Sequence, residues 1–194
     1  MHWTNTLFIT VVCAVPTGAT CVAYFLLGPA MLTYTQYGLI TGCTYLIYIL
    51  TTFVAQFAIR PHRIAVPVAM GMVFVQWFLL LCIGRFHRQL GISDFIVCLG
   101  IFSLDAVFRG CLNATYVTSM TESTRMGREA RDYAWRSTTP QVGKFVNLAA
   151  DFSLTVYYGV DHDNFAHLGS LLATTTLLAL IAVWTGTLLT PERS

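Results

Sequence analysis

The chain has 194 residues, of which 56% are hydrophobic and only 10% charged, whereas soluble domains devote about a quarter of their residues to charge. Its formal charge of +2 is small, and the basic residues are scattered over short segments, so nucleic acid and acidic surfaces are excluded as partners. The composition is that of a membrane protein.

A helical span takes about 20 apolar residues to cross a hydrocarbon core of roughly 30 Å. The sequence predicts six, near 7–28, 34–59, 64–84, 91–120, 141–160 and 166–189. Runs such as VFVQWFLLLCIG (73–84) do not alternate, which excludes a β-barrel. The expected fold is an all-α integral membrane protein of six transmembrane helices in a single domain, 1–194, lying in a lipid bilayer.

In the first stretch, LFITVVCAVPTGAT (7–20) has the short apolar region and small residues of a cleaved signal peptide. No Lys or Arg precedes it, however, and apolar character resumes at once in CVAYFLLG (21–28). Read as a span, it is broken by Pro16 and Gly18, which free backbone groups that a neighbour or a cavity must satisfy. The second and third spans flank a turn carrying Arg60 and Arg63.

The fourth span holds Asp105, Arg109 and Asn113 at i, i+4 and i+8, and the fifth holds Lys144, Asn147 and Asp151 at i, i+3 and i+7. Each set makes one polar stripe down one helix face. A charge at the bilayer centre costs about 2.5–3.5 kcal/mol on insertion scales, so such residues normally face protein or water and mark a pathway. The acid–base balance within each stripe allows Asp105 to pair with Arg109 and Lys144 with Asp151, offsetting part of that cost. Two readings follow: the stripes line a shared substrate cavity, or they are ion pairs that join helices four and five. Lys144 also lies near the end of its span and can snorkel outward.

Between these spans, TESTRMGREARDYAWRSTTP (121–140) is the one substantial polar segment. It is expected either as a surface helix along the membrane or as a solvated loop. Arg125, Arg128, Arg131 and Arg136 lie here and Arg193 in the tail, on the same side as Arg60 and Arg63. The opposite connections carry only Arg85 and Arg88. The positive-inside rule therefore puts both termini in the cytosol.

The six cysteines sit within apolar runs without CxxC spacing and read as buried small side chains. The five histidines fall near span ends, where a snorkelling or solvated role is expected, and no metal or cofactor is called for. No HExxH, GxSxG or P-loop is present, so an enzyme is the least favoured class.

The ordered landmarks resemble the amino-terminal half of the reduced folate and thiamine carriers, vitamin transporters of the major facilitator superfamily. AYFLLGP (23–29) is similar to the family's PYLLGP. YLIYILTTFVAQFAIRPHRIAVPV (45–68) sits like its second and third spans, and VQWFLLLCIGR (75–85) looks like the Trp-Leu-Leu-Leu-Leu-Gly end of span three. ATYVTSM (114–120) resembles SSYIFSL, and PQVGKF (140–145) resembles ILVGRF.

The resemblance implies half of a major facilitator-type bundle, at the plasma membrane, taking up folate, thiamine or a related organic ion by alternating access. It implies a partner as well, because the family has twelve spans: a second copy or a second carrier half. The family's substrate-choosing position in span four is basic for folate and acidic for thiamine; aligning on Tyr116 puts Gly110 there, one residue from Arg109 and so about 100° away on the helix. The family's acid in span one corresponds to Ala19, so thiamine recognition by that acid is not expected. The basic Arg109 and Lys144 suit an anion on charge. The candidate substrate residues are Arg109, Asp105, Asn113, Gly110, Tyr116, Lys144 and Asp151. The alternative is a non-transporting six-span protein: a truncated carrier, a regulator or a structural subunit.

Overall fold

The computed structural model describes residues 10–11, 13–28, 32–58, 71, 73, 75, 86–122 and 127–189. Its helices in chain order are α1 (Ala19–Leu27), α2 (Tyr34–Ala58), α3 (Phe86–Gln89), α4 (Asp94–Glu122), α5 (Glu129–Tyr158) and α6 (Leu168–Leu189). No strand occurs among the described residues, so the fold class is all-α.

Local sequence explains where the helices start and stop. The amide of Thr33 donates to Gln36 Oε1 at 3.0 Å and the amide of Gln36 to Thr33 Oγ1 at 3.2 Å, a reciprocal capping box at the head of α2. Ser93 Oγ accepts from the amide of Ile96 at the head of α4. At the tail of α5 the amides of Gly159 and Val160 turn back to the carbonyls of Val156 and Thr155 and satisfy carbonyls that a helix end leaves open.

The buried core gathers Cys21, Val22 and Leu26 of α1, Ile40 of α2, Cys98 of α4, Val160, and Leu168, Leu171 and Leu172 of α6. Each such aliphatic side chain contributes about 1.5–3 kcal/mol on full burial. Because these residues lie at the starts of α2, α4 and α6 and toward the ends of α1 and α5, the core sits at one end of the bundle. Phe25 and Phe165 meet there edge to face, their centroids 5.6 Å apart. From this end α2 and α4 run in parallel, and they pass closest where a Cβ on Gly110 would lie 2.8 Å from Thr51 Cβ.

Outside the core the helices present large apolar side chains: Leu46, Ile49, Leu50, Phe53 and Phe57 on α2, and Phe145, Leu148 and Phe152 on α5. Two helices are long and apolar enough to cross a membrane by length and composition, over Tyr34–Phe57 and Asp94–Ala114, and α6 carries a shorter apolar stretch, Leu168–Ala182.

The expected spans 34–59, 91–120 and 166–189 coincide with α2, α4 and α6 to within a few residues. The expected span 64–84 lies outside the described residues except for 71, 73 and 75, which are helical. Two boundaries change. The first span is not one helix: residues 10, 11 and 13 are helical, 14–18 are not, and α1 begins at Ala19. The fifth helix starts at Glu129 instead of 141, so most of the polar segment expected as a surface helix or loop is the first part of α5. Glu129 Oε1 accepts the amide of Gly127 at 2.8 Å, and Glu129 and Asp132 place negative charge in the first turn, where the helix dipole favours it. The hydroxyls of Thr138 and Thr139 then bond back to the carbonyls of Ala134 and Trp135, which lets a polar sequence stay helical into Pro140.

Candidate functional site

On α4, Arg109 Nε lies 2.6 Å from Asp105 Oδ2, one turn earlier, with the acid 18% and the arginine 48% exposed. The acid is thus held inside the bundle while the guanidinium keeps an open side. Asn113, a turn further on, is partly buried. Gly110 faces elsewhere: it is buried against α2, and its carbonyl accepts a long hydrogen bond from Thr52 Oγ1 at 3.4 Å. Tyr116 is part of α4, and its side chain lies outside the described residues.

On α5 the polar stripe meets the broken first helix. A Cβ on Gly143 would lie 2.5 Å from the Thr10 carbonyl oxygen and 3.1 Å from Cys13 Cβ. Asn147 Nδ2 donates to the Val15 carbonyl. The Gly18 amide donates to Asp151 Oδ1 at 2.8 Å, and Thr155 Oγ1 lies 3.3 Å from Cys21 Sγ. Gly143, Asn147, Asp151 and Thr155 follow at intervals of four and so form one face.

The break fits the spacing of these contacts. From Asn147 to Thr155 is eight residues of helix, about 12 Å, whereas six helical residues between their partners Val15 and Cys21 would span only about 9 Å. Unwinding residues 14–18 supplies the missing length, and Gly18 tolerates the resulting φ of 63° because it has no Cβ. The backbone groups freed at Val15 and Gly18 are those taken up by Asn147 and Asp151. Asp151 therefore anchors the backbone just before α1, at the Gly18 amide, where Gly18 itself has no side chain to cap the helix.

The expected Lys144–Asp151 pair is absent among the described residues, because the acid is turned to the α1 amides and Lys144 is exposed. The structure thus pairs Arg109 with Asp105 on α4, leaves Lys144 exposed, places Asn147 and Asp151 in the clasp that holds the break, and sets Gly110 apart in the α2–α4 contact. Gly143 and Thr155 were not singled out from the sequence. The signal that leads to them is the four-residue spacing from Asn147 and Asp151, once the broken helix is known to need partners.

A second charged cluster lies at the core end. Asp94 at the head of α4 is bonded by His87 Nε2 and, through both its oxygens, by Arg88 at 3.1 and 2.6 Å. His87 is buried rather than solvated, with its Nδ1 lacking a partner among the described residues. The described cysteines, Cys13, Cys21, Cys43, Cys98 and Cys111, form no disulfide among the described residues, and Cys82 lies outside them.

Compared with models of known protein families, with characterised proteins and with solved structures, the chain matches none.

Proposed function

We propose that the protein is a transporter-like membrane protein of six spans, with both termini cytosolic, that moves a small organic anion such as a folate-type vitamin by alternating access. The observation that supports this reading is the break in the first helix, clasped by Asn147 and Asp151 of α5, in a bundle whose α4 carries the half-open Asp105–Arg109 pair. Half-helices within the membrane and their flanking polar groups form the substrate sites of several transporter folds. Arg109 attracts the anion, and Asp105 holds or releases the guanidinium. The exposed apolar faces of α2 and α5 face lipid at the plasma membrane or pack on a second copy or carrier half. The Arg-containing segments on one side of the spans, against Arg85 and Arg88 alone on the other, support the orientation.

The test is uptake of labelled folate and thiamine into liposomes containing the protein, with Arg109→Ala alongside. Saturable folate uptake that falls at least about tenfold in the variant, equivalent to about 1.4 kcal/mol, is the expected result. Uptake equal to that of empty liposomes removes the transport claim.

The closed Asp105–Arg109 pair within one helix favours a second reading, a non-transporting six-span regulator or subunit in which the pair only neutralises itself. Exchanging the two residues separates the readings. Full recovery of uptake by Asp105→Arg with Arg109→Asp counts against a substrate contact, and folding without uptake supports one.

A further inference from the structure

The transport proposal leaves Asp151 without a part, although it is a partly buried carboxylate in the middle of α5. The partners described for it are backbone amides of the broken first helix: that of Gly18 at 2.8 Å and that of Thr17. We propose that Asp151 is a proton-binding site that locks the start of α1 to α5 when ionised and releases it when protonated, making the break at residues 14–18 a hinge under pH control.

A carboxylate accepts at both oxygens, and its bonds to N–H groups are roughly twice as strong as neutral ones. It also faces the positive end of the α1 dipole. Protonation removes the charge and converts one oxygen to a donor that an amide cannot accept. The first turn of α1 follows the non-helical stretch 14–18, so its position depends on what it leans against. One side of the hinge is non-helical and includes Gly18 at positive φ. The other contact across the break, Asn147 to Val15, lies before Gly18 and stays in place as the pivot.

The titratable groups on the elements packed here include Cys13, Cys21 and Tyr24 of the first segment and α1, Lys144, Tyr157 and Tyr158 of α5, and Asp105 and Arg109 of α4. Arg109 is paired with Asp105, Tyr158 with Thr174 of α6 at 2.6 Å, and Cys21 with Thr155. Lys144 is exposed, and no charged side chain among the described residues acts on Asp151. Nothing charged therefore replaces the lost anion when a proton binds.

The test uses the full chain in lipid bilayers, with its cysteines replaced and spin labels attached through Ala19→Cys on α1 and Ser153→Cys on α5, both exposed positions. The distance between labels is followed from about pH 8 to about pH 3, which covers the carboxylate range. The expected result is a single short distance at high pH and a longer one that grows on acidification from about a tenth of the molecules or fewer to the majority. Asp151→Asn, neutral with one acceptor oxygen and one donor like the protonated acid, cannot titrate and is expected to show the longer distance at every pH. Asp151→Leu is expected to show the longer distance throughout. A wild-type distance that does not change with pH, or an Asp151→Asn distance that changes as the wild type does, overturns the proposal. The readout needs no substrate, so it stands or falls separately from the transport reading.

Discussion

At the scale of single residues, the two glycines at helix contacts differ in what they press against. A Cβ on Gly110 would lie 2.8 Å from Thr51 Cβ and 3.1 Å from the Thr52 amide nitrogen, whereas one on Gly143 would lie closer still, 2.5 Å from the backbone carbonyl of Thr10. Gly143→Ala is therefore expected to destabilise more than Gly110→Ala, toward the upper end of the about 1–3 kcal/mol typical of overpacking, read as the difference in thermal unfolding of the two variants in one detergent. The polar members of the site were legible because a polar residue in an apolar run has to be accounted for. Asn147 and Asp151 stood out on that ground, and so did the break at Pro16 and Gly18 that they serve. Gly143 did not, since a glycine in a span leaves no sign of which neighbour comes close. His87 was read as solvated from its place near a span end, yet the turn through Gly91 brings it back onto Asp94. That contact depends on chain reversal, which residue type alone does not encode.

At the scale of elements, α2, α4 and α6 were legible from apolar length alone, and α5 was not. Hydropathy marks where a helix becomes apolar, and that is a different boundary from where it begins. Glu129, Asp132 and the back-bonding hydroxyls of 137–139 carry α5 some twelve residues beyond its apolar part, from Glu129 to Pro140. The link from α5 to α6 is a turn organised by Asp161, whose Oδ1 accepts the amides of Asp163 and Asn164 at 2.9 and 2.7 Å. These two amides hold the Asp161 carboxyl below the usual carboxylate range. A group with a depressed folded value stabilises above its unfolded pKa, about 3.9 for Asp, and that stabilisation is lost as pH falls through the depressed value. The amide resonances of Asp163 and Asn164 are accordingly expected to move together at a pH below the ordinary Asp range. In Asp161→Asn neither should titrate in this way. Movement at or above the ordinary range would show that the turn is not held by this carboxylate.

At the scale of the whole molecule, the described core lies at one end, where α2, α4 and α6 begin and α1 and α5 finish. The linkers at that end, 90–93 and 159–167, and the one at 127–128 are thus at opposite ends of the bundle. With the proposed cytosolic termini, a cysteine placed at Asp163 or Leu90 is expected to react with an impermeant reagent added outside intact cells. One placed at Arg128 is expected to react only after the membrane is opened. Labelling of all three from outside would overturn the six-span arrangement. The uneven placement of the core was not readable from the sequence, because it depends on which apolar side chains meet each other and which are left facing outward.

The continuous helix α5 also fixes how many residues its neighbour can contain. Its pitch sets the separation of Gly143, Asn147, Asp151 and Thr155, and the stretch from Cys13 to Cys21 is matched to that separation residue by residue. An insertion or deletion there puts every later partner out of step, even one that adds only a glycine to an already unwound segment. The exposed turn at 161–164 has no such template beside it, and a change of chain length there is absorbed locally. Two non-helical segments of similar length thus differ sharply in how freely evolution or design can lengthen them.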